Sequence, residues 1–126
     1  TGELGTLRNV AVASHVAMQA GADFIKTSTG KESVNATLPF GLVMTRAIRD
    51  YLADTGHRFG FKPAGGIRTA KQALDWMILI KEELGNEWLE PGLFRLGAST
   101  LLSDIERQLA HFVTGEYSAA HHHPMV

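Results

Sequence analysis

The sequence contains no cysteine, and it lacks several other features that would mark particular classes of protein. Without cysteine, disulfides and thiolate metal sites are excluded, and the composition is compatible with the cytoplasmic location that we expect. No apolar run reaches the ~18 residues of a membrane span, and no signal peptide is recognisable. Neither charge sign dominates, because 12 Lys and Arg stand against 13 Asp and Glu. We therefore expect no broad surface for nucleic acid or for an anionic membrane.

The 126 residues do contain enough apolar material for one domain, with 44% hydrophobic residues. Their spacing predicts four helices, over about 4–19, 38–54, 70–84 and 101–113. The third helix opens with Thr69 and Gln72 in a capping-box pattern. Its predicted apolar stripe consists of Ala70, Ala73, Leu74, Met77, Ile80 and Leu84, with Trp76 on or beside it. The predicted stripe of the fourth helix consists of Leu102, Ile105, Leu109 and Phe112.

Three short apolar segments between the helices have the length and composition of strands. They cover 22–28, 58–63 and 93–98. The resulting order, α-βα-βα-βα, predicts a parallel sheet with right-handed crossovers. A doubly wound sheet and a TIM (β/α)₈ barrel both contain such units. A barrel of ~250 residues is about twice this length, so the chain would be its C-terminal part, about three βα units plus a preceding helix.

Strand alternation favours the barrel, because it turns Lys26 and Lys62 toward the interior. We accordingly expect a partial α/β barrel over 1–115 and an irregular tail over 116–126. If the two strands are adjacent, their backbones lie ~4.8 Å apart and the two amines converge. Like charge then favours the neutral form of one amine, which is a nucleophile able to form a Schiff base. A salt bridge at the barrel rim and a solvated surface lysine remain the alternatives for Lys26 and Lys62, respectively.

Two small-residue turns, 65–69 and 96–100, each join a predicted strand to the next helix. Backbone N–H groups near a helix N-terminus suit a phosphate, and barrel enzymes often bind one after strands 7 and 8. The candidate phosphate ligands in these turns are Gly65, Gly66, Arg68, Gly97, Ser99 and Thr100. Tight turns with a helix N-cap are the alternative explanation.

The stretch from Thr27 to Lys31 resembles a P-loop only superficially. A Walker A motif needs glycine where Ile25 stands and Ser or Thr where Glu32 stands. Lys31 can still reach a phosphate. The histidine triplet 121–123 lies in the irregular tail without a carboxylate partner, so we interpret it as a solvated terminus and expect no metal site.

Three segments, 22–31, 60–69 and 94–102, closely resemble the deoxyribose-phosphate aldolase family, class I aldolases on a TIM barrel. The resemblance spans nearly the whole chain, and 103–108 looks like the animal-type branch. It implies reversible cleavage of 2-deoxy-D-ribose 5-phosphate to glyceraldehyde 3-phosphate and acetaldehyde. By match, Lys26 is the Schiff-base lysine, Lys62 is the second active-site lysine, and Thr29 lies near the sugar. The phosphate would be held in the regions of Lys31, Gly65, Gly66, Arg68, Gly97, Ser99 and Thr100.

The resemblance also implies that no metal or organic cofactor is needed, since the protonated imine is itself the electron sink. The family's catalytic aspartate comes from an earlier strand, and Asp23 is no substitute because it points away from Lys26. The equivalence of Tyr117 to the family's C-terminal tyrosine stays open. The expected partners are a small phosphorylated sugar and the missing N-terminal half of the barrel, with homo-oligomer formation left open. The isolated chain is expected to be inactive. Two alternatives remain: a non-catalytic phosphate-binding half-barrel, and another Schiff-base aldolase acting on keto acids.

Overall fold

The computed structural model describes residues 1–119, which form an α/β unit of four helices around a short parallel sheet. The elements follow the predicted alternation of helix and strand. In chain order they are α1 (Leu7–Gln19), β1 (Phe24–Lys26), α2 (Leu38–Thr55), β2 (Gly60–Lys62), α3 (Ala70–Leu84), a 3₁₀ helix (Asn86–Trp88) and α4 (Leu101–Thr114).

The N-termini of α1, α2 and α3 are set by threonine caps. The Thr69 hydroxyl accepts a hydrogen bond from the Gln72 N–H, and the Gln72 side chain accepts one from the Thr69 N–H, so α3 begins as predicted. It also ends at the predicted residue, Leu84. The prediction for α1 was wrong by three residues. Its N-cap is Thr6, whose hydroxyl accepts from the Asn9 N–H at 3.1 Å, while the residues before it form turns.

Strands β1 and β2 pair in parallel, and both are shorter than predicted. The register joins Phe24 to Gly60, Ile25 to Phe61 and Lys26 to Lys62. The third predicted strand, 93–98, forms only two isolated parallel bridges to the β2 region, from Phe94 to Phe61 and from Gly97 to Ala64. Within residues 1–119 the sheet consists of β1 and β2, so regular strand pairing ends at β2 on the side of the 93–98 segment.

The core lies between the sheet and the helices. Ile25 and Phe61 point from the strands into a buried cluster that includes Ile48 and Ile80. Trp76 packs against Phe61 with ring centroids 6.0 Å apart, which confirms its predicted packing role. The predicted stripe of α3 was wrong at two positions, because Leu74 and Met77 are exposed. Ala73, Trp76, Ile80 and Leu84 form the buried face instead.

The predicted apolar stripe of α4 was also largely wrong. Leu101 is buried and Ile105 is half-buried, but Leu102 is 65% exposed and Phe112 is 87% exposed. Helix α4 packs against α3, and its remaining faces meet little else within residues 1–119. Asp104 fixes this contact, since its carboxylate accepts a hydrogen bond of 2.7 Å from the Ala70 N–H at the start of α3.

Two sequence features concern membranes and metals. Within residues 1–119 no helix combines the length and hydropathy needed to cross a bilayer. In the same range no group of three or more His, Asp or Glu side chains is placed to hold a metal ion. The histidine triplet 121–123 lies outside the described residues. Tyr117 stacks on His111, with ring centroids 4.0 Å apart.

Candidate active site

The sheet brings the two predicted lysines together. Lys26 and Lys62 are direct register partners at the carboxyl ends of β1 and β2, so the condition that their strands are adjacent is met. The preceding residues, Ile25 and Phe61, are buried in the core, which turns both lysines to the opposite face of the sheet. Lys26 is exposed and Lys62 is half-buried. The backbones that carry the two lysines therefore lie ~4.8 Å apart, which is the spacing of neighbouring strands.

An open cleft of about 360 Å³ lies beside the lysine pair. Most of the residues singled out in the sequence line it, namely Lys26, Thr29, Gly65, Gly66, Arg68, Gly97 and Ser99. The remaining lining residues, which sequence reasoning missed, are Gly30, Ala64, Ile67 and Ala98. They are small or apolar neighbours of predicted residues, so no chemical signal distinguished them. The cleft therefore joins the end of β1 to both predicted phosphate turns.

Three predicted site residues do not line this cleft. Lys31 is exposed one residue beyond Gly30 in the loop after β1. Thr100 precedes α4, and its side chain makes no capping hydrogen bond. Lys62 passes close to Gly97, since a Cβ built on that glycine would lie 3.3 Å from the Lys62 Cε. The side chain of Lys62 thus runs alongside the second turn.

The turn after β2 needs glycine at both of its first two positions. Gly65 has φ 93° and Gly66 has φ 81°, a region that side chains other than glycine rarely adopt. A Cβ on Gly65 would also lie 2.6 Å from the Ser28 Oγ. The N–H of Arg68 is already used, because it donates to the Gln72 side chain at 2.8 Å. Any contact between Arg68 and an anion would therefore come from its guanidinium group.

Two hydroxyl groups that sequence reasoning passed over connect the ends of the strands. The Thr27 hydroxyl donates to the Ala64 carbonyl at 2.8 Å and accepts from the Ala64 N–H at 2.9 Å. The Ser28 hydroxyl lies 2.8 Å from the same carbonyl and 2.9 Å from the Asn35 Oδ1. A signal was present for Thr27, since strand alternation puts it in phase with the buried Ile25.

A further polar contact anchors the loop that carries Lys31. The Glu32 carboxylate accepts hydrogen bonds from the N–H of Gly2 at 3.1 Å and of Glu3 at 3.5 Å. The bond from Gly2 is the main cause that lowers the pKa of Glu32; partial burial opposes it, and Glu3 and the Thr1 amino group add to it. No spacing in the sequence pointed to this contact.

Comparison with known proteins relates the sequence to a family. Residues 4–103 match the profile of the DeoC/LacD family aldolases. The chain is 69% identical over 125 residues to the deoxyribose-phosphate aldolase of Homo sapiens. The alignment covers 99% of this chain and 39% of the human protein. The values for the deoxyribose-phosphate aldolase of Mus musculus are the same. The chain thus spans 39% of the length of these relatives.

A solved structure supports the fold. The apo form of a Toxoplasma gondii ME49 protein, provisionally named a deoxyribose-phosphate aldolase, superposes with a TM-score of 0.73 at 21% identity. The match covers 88% of this chain and 42% of that protein. At this identity the likeness concerns the fold alone. The profile match over residues 4–103 shows the family: the chain belongs to the DeoC/LacD family of aldolases.

Proposed function

We propose that this chain is the C-terminal part of a deoxyribose-phosphate aldolase, which reversibly cleaves 2-deoxy-D-ribose 5-phosphate to glyceraldehyde 3-phosphate and acetaldehyde. The observation that carries the proposal is the pairing of Lys26 with Lys62 beside a cleft lined by two phosphate-type turns. The 69% identity to mammalian enzymes of that name supports it. In this view the chain supplies the last three βα units of a (β/α)₈ barrel, and the remainder of the enzyme closes the sheet.

Lys26 is the nucleophile in this proposal. Its neutral Nζ adds to the C1 aldehyde of the open-chain sugar, and loss of water gives a protonated imine. The imine then draws in the electrons of the C2–C3 bond. That bond breaks, the C3 hydroxyl gives its proton to a base, and C3 becomes the aldehyde of glyceraldehyde 3-phosphate. The enamine left on Lys26 takes a proton at C2, and hydrolysis of the imine releases acetaldehyde. We assign the base to the expected aspartate of an earlier strand.

Lys62 is the second active-site lysine in this proposal. It extends from the strand next to that of Lys26, so its ammonium group would place a positive charge beside the reacting amine. Lys62 is half-buried, and water screens a half-buried charge less than an exposed one. In this proposal that charge assists imine formation at Lys26.

The phosphate is held by the turns that follow β2 and the 93–97 segment. Arg68 offers its guanidinium group, Ser99 offers a hydroxyl, and the glycines let the backbone approach the ligand closely. Lys31 and Thr100 stand at the edges of this region and would add to it. The 360 Å³ cleft falls within the range of about 300–1,000 Å³ that is usual for small-molecule sites. Thr29 lines the same cleft and would contact the sugar hydroxyls.

Turnover by the full-length protein that contains this chain tests the proposal. We expect cleavage of 2-deoxy-D-ribose 5-phosphate, its loss in Lys26→Arg, and normal rates in Lys71→Arg, an exposed lysine on α3 outside the cleft. Thermal stabilisation by phosphate esters without turnover would instead identify a binding module. Turnover with pyruvate but not with acetaldehyde would identify an aldolase of keto acids.

A further inference from the structure

The hydrogen-bond ladder between β1 and β2 changes its partner directly after the lysine pair. The Gly60 N–H donates to the Asp23 carbonyl at 2.8 Å, and the Thr27 N–H donates to the Lys62 carbonyl at 3.3 Å, as in a regular parallel pair. The next bond of that pattern would join the Ala64 N–H to the Thr27 carbonyl. The Ala64 N–H donates instead to the Thr27 hydroxyl, at 2.9 Å.

The side chain of Thr27 thus takes the place of its own carbonyl. That carbonyl accepts a hydrogen bond of 2.7 Å from the Thr1 backbone nitrogen instead. The hydroxyl satisfies both polar groups of Ala64, since it also donates to the Ala64 carbonyl. Thr27 is 1% exposed and Ala64 is 4% exposed, so water cannot easily replace these bonds. An unpaired N–H at this depth would be strongly unfavourable.

The Ser28 hydroxyl does not satisfy the Ala64 N–H in the way that the Thr27 hydroxyl does. The Ser28 Oγ lies 2.8 Å from the Ala64 carbonyl, but its single proton is also within reach of the Asn35 Oδ1 at 2.9 Å. The bond that Oγ accepts comes from the Gly30 N–H, at 3.2 Å, and the Ala64 N–H pairs with Thr27. Thr27 therefore supplies the acceptor that fixes the start of the glycine turn.

We propose that Thr27 is a positioning residue, which sets the Lys26 amine and the Gly65–Gly66 turn at the right separation for one substrate. Thr27 directly follows Lys26, and Ala64 directly precedes the turn, so their hydrogen bonds couple the two ends of the cleft. This role rests on the proposed function, in which the aldehyde reacts at Lys26 and the phosphate binds at the turn.

The proposal differs from a merely structural role in what it predicts for two substrates. A residue that only stabilises the fold affects all substrates alike once the protein is folded. A residue that sets the separation of two subsites matters most for a substrate that occupies both of them. The informative quantity is therefore the ratio of kcat/KM for 2-deoxy-D-ribose 5-phosphate to kcat/KM for unphosphorylated 2-deoxy-D-ribose.

The test uses the full-length enzyme with Thr27→Val, which keeps the size of the side chain and removes the hydroxyl. We expect this ratio to fall about tenfold to a hundredfold. Thr27→Ser keeps the hydroxyl and should restore the wild-type ratio. Thr45→Val is the matched control: Thr45 is 0% exposed and its hydroxyl donates to the Leu42 carbonyl at 3.0 Å within α2. It should lower thermal stability and leave the ratio unchanged.

The possible results distinguish a failure of the proposed function from a failure of the role of Thr27. A wild-type enzyme without turnover overturns the proposed function and the role of Thr27 with it. A wild-type enzyme that is active, with a Thr27→Val ratio equal to that of wild type, overturns the role of Thr27 alone. If Thr27→Val does not fold, Thr27→Cys replaces the hydroxyl with a weaker donor and acceptor. The ratio should then fall to an intermediate value, and an unchanged ratio contradicts the proposal.

Discussion

Substitution of Gly97 by alanine is expected to displace the segment that carries half of the proposed phosphate site. A Cβ at this position would lie 2.5 Å from the Ala64 Cβ and 3.3 Å from the Lys62 Cε. Optimal carbon–carbon contacts are about 3.5–4.0 Å, so the first distance is too short by about 1 Å or more. The φ angle of Gly97 is not positive, so the effect is steric and not a matter of backbone strain.

The two neighbours differ in their ability to move. The Lys62 side chain is long and can swing aside at little cost. Ala64 cannot, because Thr27 holds both its N–H and its carbonyl. The segment around Gly97 must then shift away from β2, weakening the 2.9 Å hydrogen bond from the Gly97 N–H to the Pro63 carbonyl. Overpacking of this kind costs about 1–3 kcal/mol.

Thermal unfolding and steady-state kinetics of the full-length enzyme measure this effect. Each kcal/mol lowers the midpoint by about 2–4 °C in a protein of about 150–250 residues, and the shift becomes smaller as the protein becomes larger. We also expect a higher KM for the phosphorylated sugar, because Ser99 moves with the segment. Gly92→Ala is the control, since its Cβ would meet only the flexible end of Glu90, at 3.2 Å. A Gly97→Ala midpoint and KM equal to those of Gly92→Ala would refute the reasoning.

Three further predictions concern charge. Lys62→Leu removes the neighbouring positive charge, so imine formation at Lys26 should become slower at neutral pH while Lys62→Arg keeps the wild-type rate; an unchanged rate in Lys62→Leu removes the role of Lys62. Arg68→Ala should raise KM for the phosphorylated sugar about tenfold or more and leave KM for unphosphorylated deoxyribose unchanged, whereas equal changes for both would contradict a phosphate contact. The pKa of Glu32 lies below its usual 4.5, so this carboxylate stabilises the folded state above about pH 4.5 and loses that contribution as the pH falls through its lowered pKa. Acid unfolding followed by circular dichroism should therefore show the stability difference between wild type and Glu32→Gln shrinking as the pH falls, and a pH-independent difference would be inconsistent with the contact.

Local signals in the sequence were sufficient for much of the fold. The capping box of Thr69 and Gln72 predicted the start of α3 to the residue, and Pro39 near the start of α2 is compatible with the observed boundary. The two-residue alternation placed Ile25 and Phe61 in the core and the lysines on the other face. These features depend on neighbours within a few residues, which is why periodicity and capping chemistry detect them.

Features that depend on distant contacts could not be predicted in the same way. The third predicted strand has the composition of its neighbours, but it forms only two isolated bridges to the β2 region, and nothing in its own residues distinguishes it from β1 and β2. The stripe on α4 is periodic, and yet Phe112 is exposed because burial requires an element to cover it. Glu32 contacts the backbone of residues 2 and 3, some thirty positions earlier. No local pattern encodes such a contact.

The candidate site falls between these two cases. The small-residue turns pointed to Gly65, Gly66 and Gly97, and the cleft contains all three. The link between Thr27 and Ala64 escaped detection, because the identity of a hydrogen-bond partner 37 residues away depends on the register of the sheet. Register became visible only with the pairing of β1 and β2.

The proposed aldolase mechanism depends above all on a covalent bond between substrate and Lys26. Treatment of the full-length enzyme with 2-deoxy-D-ribose 5-phosphate and sodium borohydride reduces any imine to a stable amine, which mass spectrometry locates in a peptide digest. We predict a single added aldehyde-derived group on Lys26, absent without substrate and absent in Lys26→Arg. An active enzyme that stays unlabelled at Lys26, or that carries the label on another lysine, would contradict the account.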